Sequence, residues 1–277
     1  MPILHAIVLG LVQGLSEFLP ISSSGHLLLV PWLFGWDDFA GHPGVEKAFD
    51  VALHIGTLGA VMAYFGRDLV TYVKEGARLL RRREQPTNPE GRLAWLLVLS
   101  SVPAAAVGAL FEEFIDEQLG TPLIIAISLI VFGVVLAWAD RRDGQKVLGD
   151  FSTTDALKIG AAQVLSLNPG TSRSGITMTA SRLLGFNRDA AARASFLMAI
   201  PVTGGAVAYK LVKLVGDGIP DGFLGPMIVG IITSALSGWL AVWGTIRLVR
   251  TRTFAPFVIY RLGLGVLVIG VLATGLR

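Results

Sequence analysis

The sequence predicts an all-α polytopic membrane protein with six transmembrane helices and two re-entrant helix–loop–helix segments in an inverted repeat. Three observations predict this fold: the composition, the length of the apolar stretches and an internal sequence match. Of the 277 residues, 53% are hydrophobic and 16% are charged, and the mean hydropathy is +0.65. These values lie well outside the averages for soluble domains. The chain has no cysteine, which excludes disulfides, thiolate chemistry and cysteine-ligated zinc.

Six apolar stretches are long enough to cross a bilayer, which requires about 17–25 residues of helix. They are predicted at 49–66, 93–110, 121–139, 190–213, 222–249 and 256–275. Two further apolar regions, 2–34 and 156–186, are interrupted by Pro, Gly, Ser and charged residues, so that each half is too short to span. This pattern favours re-entrant segments, whose irregular backbone must be buried in protein or line a wet cavity.

The charges between the spans predict the orientation. The acidic segment 111–120 contains no Lys or Arg, and its carboxylates are Glu112, Glu113, Asp116 and Glu117. Basic residues instead follow the first, third and fifth spans, as in the segment with Arg67, Lys74, Arg78, Arg81, Arg82, Arg83 and Arg92. The positive-inside rule places these basic segments in the cytoplasm and both termini outside. The arginines at 81–83 are expected to signal topology first and to contact anionic lipid second.

An internal match relates the two halves of the chain. A shift of 150 positions aligns five identical pairs, namely Gln13/Gln163, Ser16/Ser166, Ser22/Ser172, Ser24/Ser174 and Gly25/Gly175. One integral-membrane domain is therefore predicted, with repeats at 1–147 and 148–277. Each repeat holds one re-entrant segment and three spans, and because three is odd the second copy is inverted. The two loop tips are expected to meet near the midplane, where such proteins build their sites.

The first tip, QGLSEFLPISSSGH, contains several chemically active groups. Gln13 and Glu17 share a helix face, and a carboxylate at membrane depth is costly unless it is paired, metal-bound or near water. The alternative is that Glu17 is simply solvated at the interface. Pro20 is expected to end the first helix, and the serine run to open the next one, where free N–H groups and hydroxyls can bind an anion or one serine can cap the helix. His26 titrates near neutral pH.

The second tip, PGTSRSG, places Arg173 among hydroxyls, just before an apolar helix that begins at Ile176. The guanidinium fork suits phosphate oxygens, and an arginine without a function would be expensive in a membrane. Together the tips suit a phosphate ester or diphosphate better than a neutral solute. Asp50 and His54 are expected either to tune this site or coordinate a cation, or else to form an ordinary helix-surface pair at the interface. Arg193 and Arg261 are expected to be interfacial anchors.

At these residues the chain resembles the undecaprenyl-diphosphate phosphatases of the bacitracin-resistance (BacA/UppP) type. The resemblance rests on QGLSEFLPISSSGH, PGTSRSG and FAPFVIYR, and it extends over essentially the whole chain. It implies a multi-pass enzyme of the bacterial inner membrane whose active site faces the periplasm. Such an enzyme removes the terminal phosphate of undecaprenyl diphosphate, recycles the lipid carrier for peptidoglycan synthesis and confers bacitracin resistance.

The resemblance also implies a divalent cation, Mg²⁺ or Ca²⁺. Many members of the family have glutamate where this chain has Gln13, so Glu17 is the main expected metal ligand and Gln13 a secondary one. Type-2 phosphatidic acid phosphatases are similar at Ser24–His26 and at Ser172–Arg173, but Thr179 stands where they have a second histidine. A hydroxyl nucleophile is therefore favoured over an imidazole.

These features predict a mechanism and its residues. Ser23 is the expected nucleophile, because Ser22 and Ser24 have counterparts in the second repeat whereas Ser23 stands opposite Arg173. His26 or Glu17 is expected to take its proton, and Arg173 to hold the phosphates. The predicted phosphate-binding residues are Ser22, Ser24, Gly25, Thr171, Ser172, Ser174, Gly175 and Thr177.

Two alternatives stay open at this point. Water could attack directly, with Ser23 only a ligand, or the protein could be a transporter or flippase of a polyprenyl phosphate lipid, since inverted repeats also build carriers. The predicted partners are a polyprenyl diphosphate lipid and the bilayer, with a homodimer also compatible. Nucleic acid is not expected despite the pI near 9.4, because the basic residues cluster between apolar stretches.

Overall fold

The computed structural model describes residues 1–40, 43–82, 89–111, 114–115, 118–214 and 222–277. Regular structure in these ranges is helical, and an isolated bridge joins Lys146 to Phe186. The helices are α1 (Ile3–Phe18), α2 (Ser23–Phe34), α3 (Pro43–Tyr64), α4 (Gly66–Arg82), α5 (Pro89–Leu110), α6 (Pro122–Asp140), α7 (Thr153–Gln163), α8 (Arg173–Leu183), α9 (Arg188–Leu214), α10 (Leu224–Val249) and α11 (Ala255–Ala273).

The predicted spans are confirmed. Helices α5, α6, α9, α10 and α11 are each long and apolar enough to cross a membrane, and the bent pair α3–α4 is a sixth candidate if the pair is counted as one span. The segment after the first span is not only a connection, because α4 continues as a helix as far as Arg82. The acidic residues Glu112, Glu113, Asp116 and Glu117, and also Arg83, lie outside the described residues.

The two interrupted regions form helix–loop–helix segments, α1–α2 and α7–α8, as expected. In each, a serine in a left-handed conformation caps the second helix: Ser22 has φ 79° and Ser172 has φ 75°. Their Oγ atoms accept hydrogen bonds from Gly25 N at 3.3 Å and from Gly175 N at 3.0 Å. A non-glycine residue in such a conformation costs on the order of 1–3 kcal/mol and typically marks a functional site. The predicted helix start within the first serine run is confirmed, whereas the second helix begins at Arg173, three residues before the predicted start at Ile176.

Each interrupted segment packs against spans of the other half of the chain. Helix α1 lies along α10, and α7 lies along α5; α1 also touches α3 of its own half. Gly14 allows the close approach of α1, because a Cβ there would lie 1.9 Å from Ser237 Oγ and 2.5 Å from Ser234 O. These pairings place the two loops in the centre of the helix bundle. The division into inverted repeats at 1–147 and 148–277 stays a prediction.

Candidate active site

A cavity of about 660 Å³ lies beside the two loops. Its lining includes Glu17, Ser23, Asp50, His54 and Arg173 together with apolar side chains of α2 and α9. The cavity thus combines the polar residues of both tips with an apolar wall. A ligand that carries both a charged head and a hydrophobic chain fits such a lining.

Glu17 is the centre of the polar cluster. Ser23 Oγ donates a hydrogen bond to Glu17 Oε2 at 2.6 Å, and Arg173 Nη2 donates to Oε1 at 3.1 Å. Gln13 Nε2 donates to Oε2 at 3.3 Å, and His54 Nε2 lies 3.9 Å from the same oxygen. A hydroxyl at this distance from a carboxylate has the geometry required for proton abstraction. The structure therefore brings together the predicted nucleophile Ser23, the predicted base Glu17 and the guanidinium of Arg173.

Arg173 is held in place by its own helix and by α9. Its Nη1 donates to Ser195 O at 3.0 Å. Thr177 Oγ1 donates to Arg173 O at 2.8 Å and lies 2.8 Å from Ser195 Oγ. Thr177 therefore braces the arginine from behind and is fully buried. Ser195 was not predicted from the sequence. Its contacts with Arg173 and Thr177 form only where α9 packs against α8 in the fold.

The two tips touch each other, as expected from the repeat. Gly170 N donates to Ser22 Oγ at 3.0 Å, and Ser174 Oγ donates to Leu19 O at 3.0 Å. These bonds satisfy loop backbone groups that water cannot reach in a membrane interior. They also fix Ser23 and Arg173, which follow directly on the two caps.

The predicted phosphate-binding residues divide into two groups. Ser22, Ser24 and Ser172 line the cavity, and of these Ser24 is exposed. The others, Thr171, Ser174, Gly175, Thr177 and Gly25, are buried behind the cavity wall. There the hydroxyls of Ser174 and Thr177 bond to protein groups, and the N–H groups of both glycines are taken by the serine caps. The buried group shapes the site from behind.

His26 bonds to groups other than the predicted nucleophile Ser23. Its Nδ1 lies 2.6 Å from Ser22 O, and since a carbonyl only accepts, Nδ1 carries the proton. Its Nε2 lies 2.7 Å from Tyr260 Oη, and the two rings stack with an interplanar angle of 12°. The structure thus places His26 as a support for Ser22. The contact with the Ser23 hydroxyl belongs to Glu17.

The prediction that Arg261 is an interfacial anchor was wrong. Its side chain is fully buried, at 0% exposure. It donates to Gly170 O at 2.9 Å and to Pro20 O at 3.1 Å, one carbonyl from each loop, and further to Ser128 O and Leu129 O of α6. Its position inside the predicted span 256–275 could have indicated this role, because an arginine is costly at membrane depth. Arg193 pairs with Asp189 at 2.8 Å and is partly exposed, so its role as an anchor stays a prediction.

We expect Arg261→Met to lower both stability and activity. The change leaves the loop carbonyls of Pro20 and Gly170 without this donor, and each buried acceptor left unpaired costs about 1–3 kcal/mol. A loss of this size lowers Tm by roughly 10 °C or more in a chain of this length. Thermal unfolding of the purified protein in detergent measures it. Arg261→Lys serves as the control and should recover part of the loss; a wild-type Tm in Arg261→Met would contradict this role.

The residues around Glu17 could hold a cation together with substrate phosphates. The described residues contain no group of three or more His, Asp or Glu side chains able to hold a metal ion. Gln13 Oε1, however, is buried without a hydrogen-bond partner beside the Glu17 carboxylate, and Asp50 lines the same cavity. Mg²⁺ is commonly held by one or two carboxylates, water and substrate phosphates. The residues present fit that arrangement.

Comparison with known proteins identifies the family. A family model described as "Bacitracin resistance protein BacA" matches residues 6–267. Three proteins named undecaprenyl-diphosphatase match along their length. The protein of Pelobacter propionicus is 46% identical over 278 residues, covering 100% of this chain and 99% of the relative. That of Moorella thermoacetica is 44% identical and covers 98% of each chain, and that of Geobacter sulfurreducens is 46% identical and covers 95% of each. The chain therefore belongs to the bacitracin resistance protein BacA family.

Proposed function

We propose that this protein is an undecaprenyl-diphosphatase, which hydrolyses undecaprenyl diphosphate to the monophosphate and recycles the lipid carrier for peptidoglycan synthesis. One observation carries the proposal: the Ser23 hydroxyl lies 2.6 Å from a carboxylate that also binds Arg173 at 3.1 Å. A carrier needs charge in its cavity but not a hydroxyl aligned on a base, so the enzyme is favoured over a transporter. The names of the relatives supply the substrate.

The diphosphate is bound by groups of both tips. At the starts of α2 and α8, the backbone N–H groups of the cavity-lining residues Ser23, Ser24 and Arg173 have no acceptor within the described residues. Free N–H groups at a helix N-terminus bind phosphate, aided by the helix dipole. The Arg173 guanidinium adds donors with the geometry of phosphate oxygens. The terminal phosphate therefore lies between the two helix starts, within reach of Ser23.

The reaction proceeds by two displacements at the terminal phosphorus. Ser23 Oγ attacks it while Glu17 takes the hydroxyl proton, and the bond to the bridging oxygen breaks. The leaving group is undecaprenyl monophosphate, whose new charge remains near Arg173. Glu17 releases this first proton to solvent. Water then attacks the phosphoserine, Glu17 takes one proton from that water and gives it to Ser23 Oγ as the bond from Ser23 Oγ to phosphorus breaks, and inorganic phosphate departs. Stabilisation of charge by fixed donors is the main contribution of the protein.

A divalent cation, Mg²⁺ or Ca²⁺, completes the proposed site. Glu17 and Gln13 would hold it, and it would supply further neutralisation of the diphosphate charge. Glu17 is only 8% exposed, so few waters compete with the substrate around it. The role of the protein residues in the steps above is the same for either ion.

The proposed location is the bacterial inner membrane, with the cavity open to the periplasm. The support is the charge distribution: α4 and the end of α10 carry Lys and Arg, which the positive-inside rule assigns to the cytoplasm. In this orientation the side of the cavity lined by Asp37 and Asp38, between α2 and α3, faces outward. The undecaprenyl chain extends along the apolar wall towards lipid. A homodimer stays a prediction.

Phosphate release by the purified, reconstituted protein tests the proposal. We expect release from undecaprenyl diphosphate in the presence of Mg²⁺ or Ca²⁺, loss of release after chelation, and recovery when the cation is returned. Ser24→Ala is a suitable control, because it removes a neighbouring hydroxyl that is not aligned on Glu17. The absence of release with every divalent cation tested would contradict an enzymatic function.

A further inference from the structure

Helix α4 runs across the direction of the span that precedes it. A single residue separates the start of α4 from the end of α3, and the two helix axes differ by 84°. With α3 taken as the span predicted at 49–66, this bend places α4 close to the membrane plane. Its 17 residues extend about 25 Å at 1.5 Å per residue.

One face of α4 packs against α5. Gly76 is buried, and a Cβ there would lie 3.4 Å from Ala94. Trp95 Nε1 donates a hydrogen bond to Gly76 O at 3.0 Å, while the rest of the indole is partly exposed. Tryptophans with one polar and one apolar contact concentrate at the membrane–water interface. Trp95 therefore marks the depth at which α4 lies.

A second face of α4 is apolar and uncovered. Val70, Val73, Ala77 and Leu80 follow one another at spacings of three and four, which places them on one side of a helix. Val70 is 53% exposed, Val73 64% and Leu80 66%. A continuous apolar stripe of this kind is unfavourable in water. It suits the boundary between headgroups and acyl chains, into which interfacial helices insert their apolar side.

The cations of α4 lie directly beside this stripe. Arg67, Lys74, Arg78 and Arg81 also repeat at helical spacing, on the neighbouring side, whereas Asp68 and Glu75 lie further round the helix. Arg78 pairs with Glu75. The side chains of Arg67, Lys74 and Arg81 have no ion-pair or hydrogen-bond partner in the described parts of the chain. A row of unpaired cations along an inserted apolar stripe is complementary to phosphate groups at the membrane surface.

We propose that α4 is an interfacial helix that binds anionic phospholipid headgroups through Arg67, Lys74 and Arg81, with the stripe Val70–Val73–Ala77–Leu80 inserted below them. In the proposed orientation this is the cytoplasmic leaflet. Bound in this way, α4 fixes the depth of α3, the helix that carries Asp50 and His54 into the cavity. The surface serves lipid contact and is separate from the active site.

Site-directed spin labelling tests the insertion, because the chain contains no cysteine. Single variants Val73→Cys and Thr71→Cys are labelled and reconstituted in nanodiscs of phosphatidylglycerol and phosphatidylcholine. We expect the label at 73 to be accessible to oxygen in the lipid phase and shielded from an aqueous nickel chelate, and the label at 71 to show the opposite. Water access at both positions in pure lipid would overturn the proposal. Shielding at 73 only in native membranes would also overturn it and would indicate a protein partner.

Lipid selectivity tests the cations. The triple variant Arg67→Gln/Lys74→Gln/Arg81→Gln is compared with the matched triple Arg141→Gln/Lys158→Gln/Arg252→Gln, which removes the same charge from exposed positions elsewhere. The probe is spin-labelled phosphatidylglycerol measured against spin-labelled phosphatidylcholine. One cation near an anionic surface strengthens attraction about fivefold, so we expect the α4 triple to lose at least that much selectivity and the control to lose less. Equal losses in the two triples would overturn the proposal.

Discussion

Ser23→Ala is expected to lower kcat for phosphate release by on the order of 10⁴-fold or more, which is the scale seen when a covalent nucleophile is removed. The variant keeps the helix start, the Ser22 cap and the Arg173 contact with Glu17, so KM should change little. Only the attacking oxygen is lost. Single-turnover release of phosphate from undecaprenyl diphosphate measures the effect on chemistry directly.

The matched control for Ser23→Ala is Ser24→Ala. Ser24 is the neighbouring residue and is exposed to the same cavity, but its hydroxyl bonds to Ser22 Oγ at 3.5 Å rather than to Glu17. We expect its kcat to stay within roughly tenfold of the wild type, since it supplies at most one hydrogen bond to the substrate. If Ser23→Ala retained as much activity as Ser24→Ala, direct attack by water would replace the covalent mechanism.

Glu17→Gln is expected to lower kcat by about 10³-fold, within the range that a positioned general base contributes. Glutamine preserves the shape of the side chain and can still accept a hydrogen bond from Ser23, but it cannot take the proton. The amide also loses the ionic attraction to Arg173 and to a cation. The measurement is kcat at saturating cation and substrate, with circular dichroism and Tm to show that the fold is retained.

His26→Gln distinguishes the two bases that the sequence left open. Both ring nitrogens of His26 are engaged, with Ser22 O and with Tyr260 Oη, so its loss acts through the position of the loop. We expect a loss of activity at least tenfold smaller than that of Glu17→Gln, and a similar loss in Tyr260→Phe, which breaks the same contact. A larger loss in His26→Gln than in Glu17→Gln would return the proton transfer to the imidazole.

Much of the fold follows from the sequence, because membrane insertion depends on local composition. Stretches of apolar residues must be helical in lipid, so the spans and the two interrupted regions are predictable from length alone. The helix α4 was not predicted, since its basic residues also suit a cytoplasmic connection. Its bend depends on packing against α5, which links residues such as Gly76 and Trp95.

The site is predictable in part, for a similar reason. Glu17 and Arg173 stand out because an unpaired charge is costly in a membrane, and the pairing of the two was foreseeable once the tips were expected to meet. The direction of His26 was not, because it depends on Tyr260, 234 positions away. Arg261, like Arg173, is an arginine within an apolar stretch of the sequence. The loop carbonyl groups to which it donates hydrogen bonds are identified only in the fold.

In the proposed reaction, Ser23 attacks the terminal phosphorus and forms a phosphoserine, which water then hydrolyses. The most direct measurement is the stereochemical course of the reaction with a substrate whose terminal thiophosphate is chiral through oxygen isotopes. Each in-line displacement inverts the configuration at phosphorus. Two displacements therefore predict net retention in the released thiophosphate. Net inversion would show a single attack by water and contradict the claim.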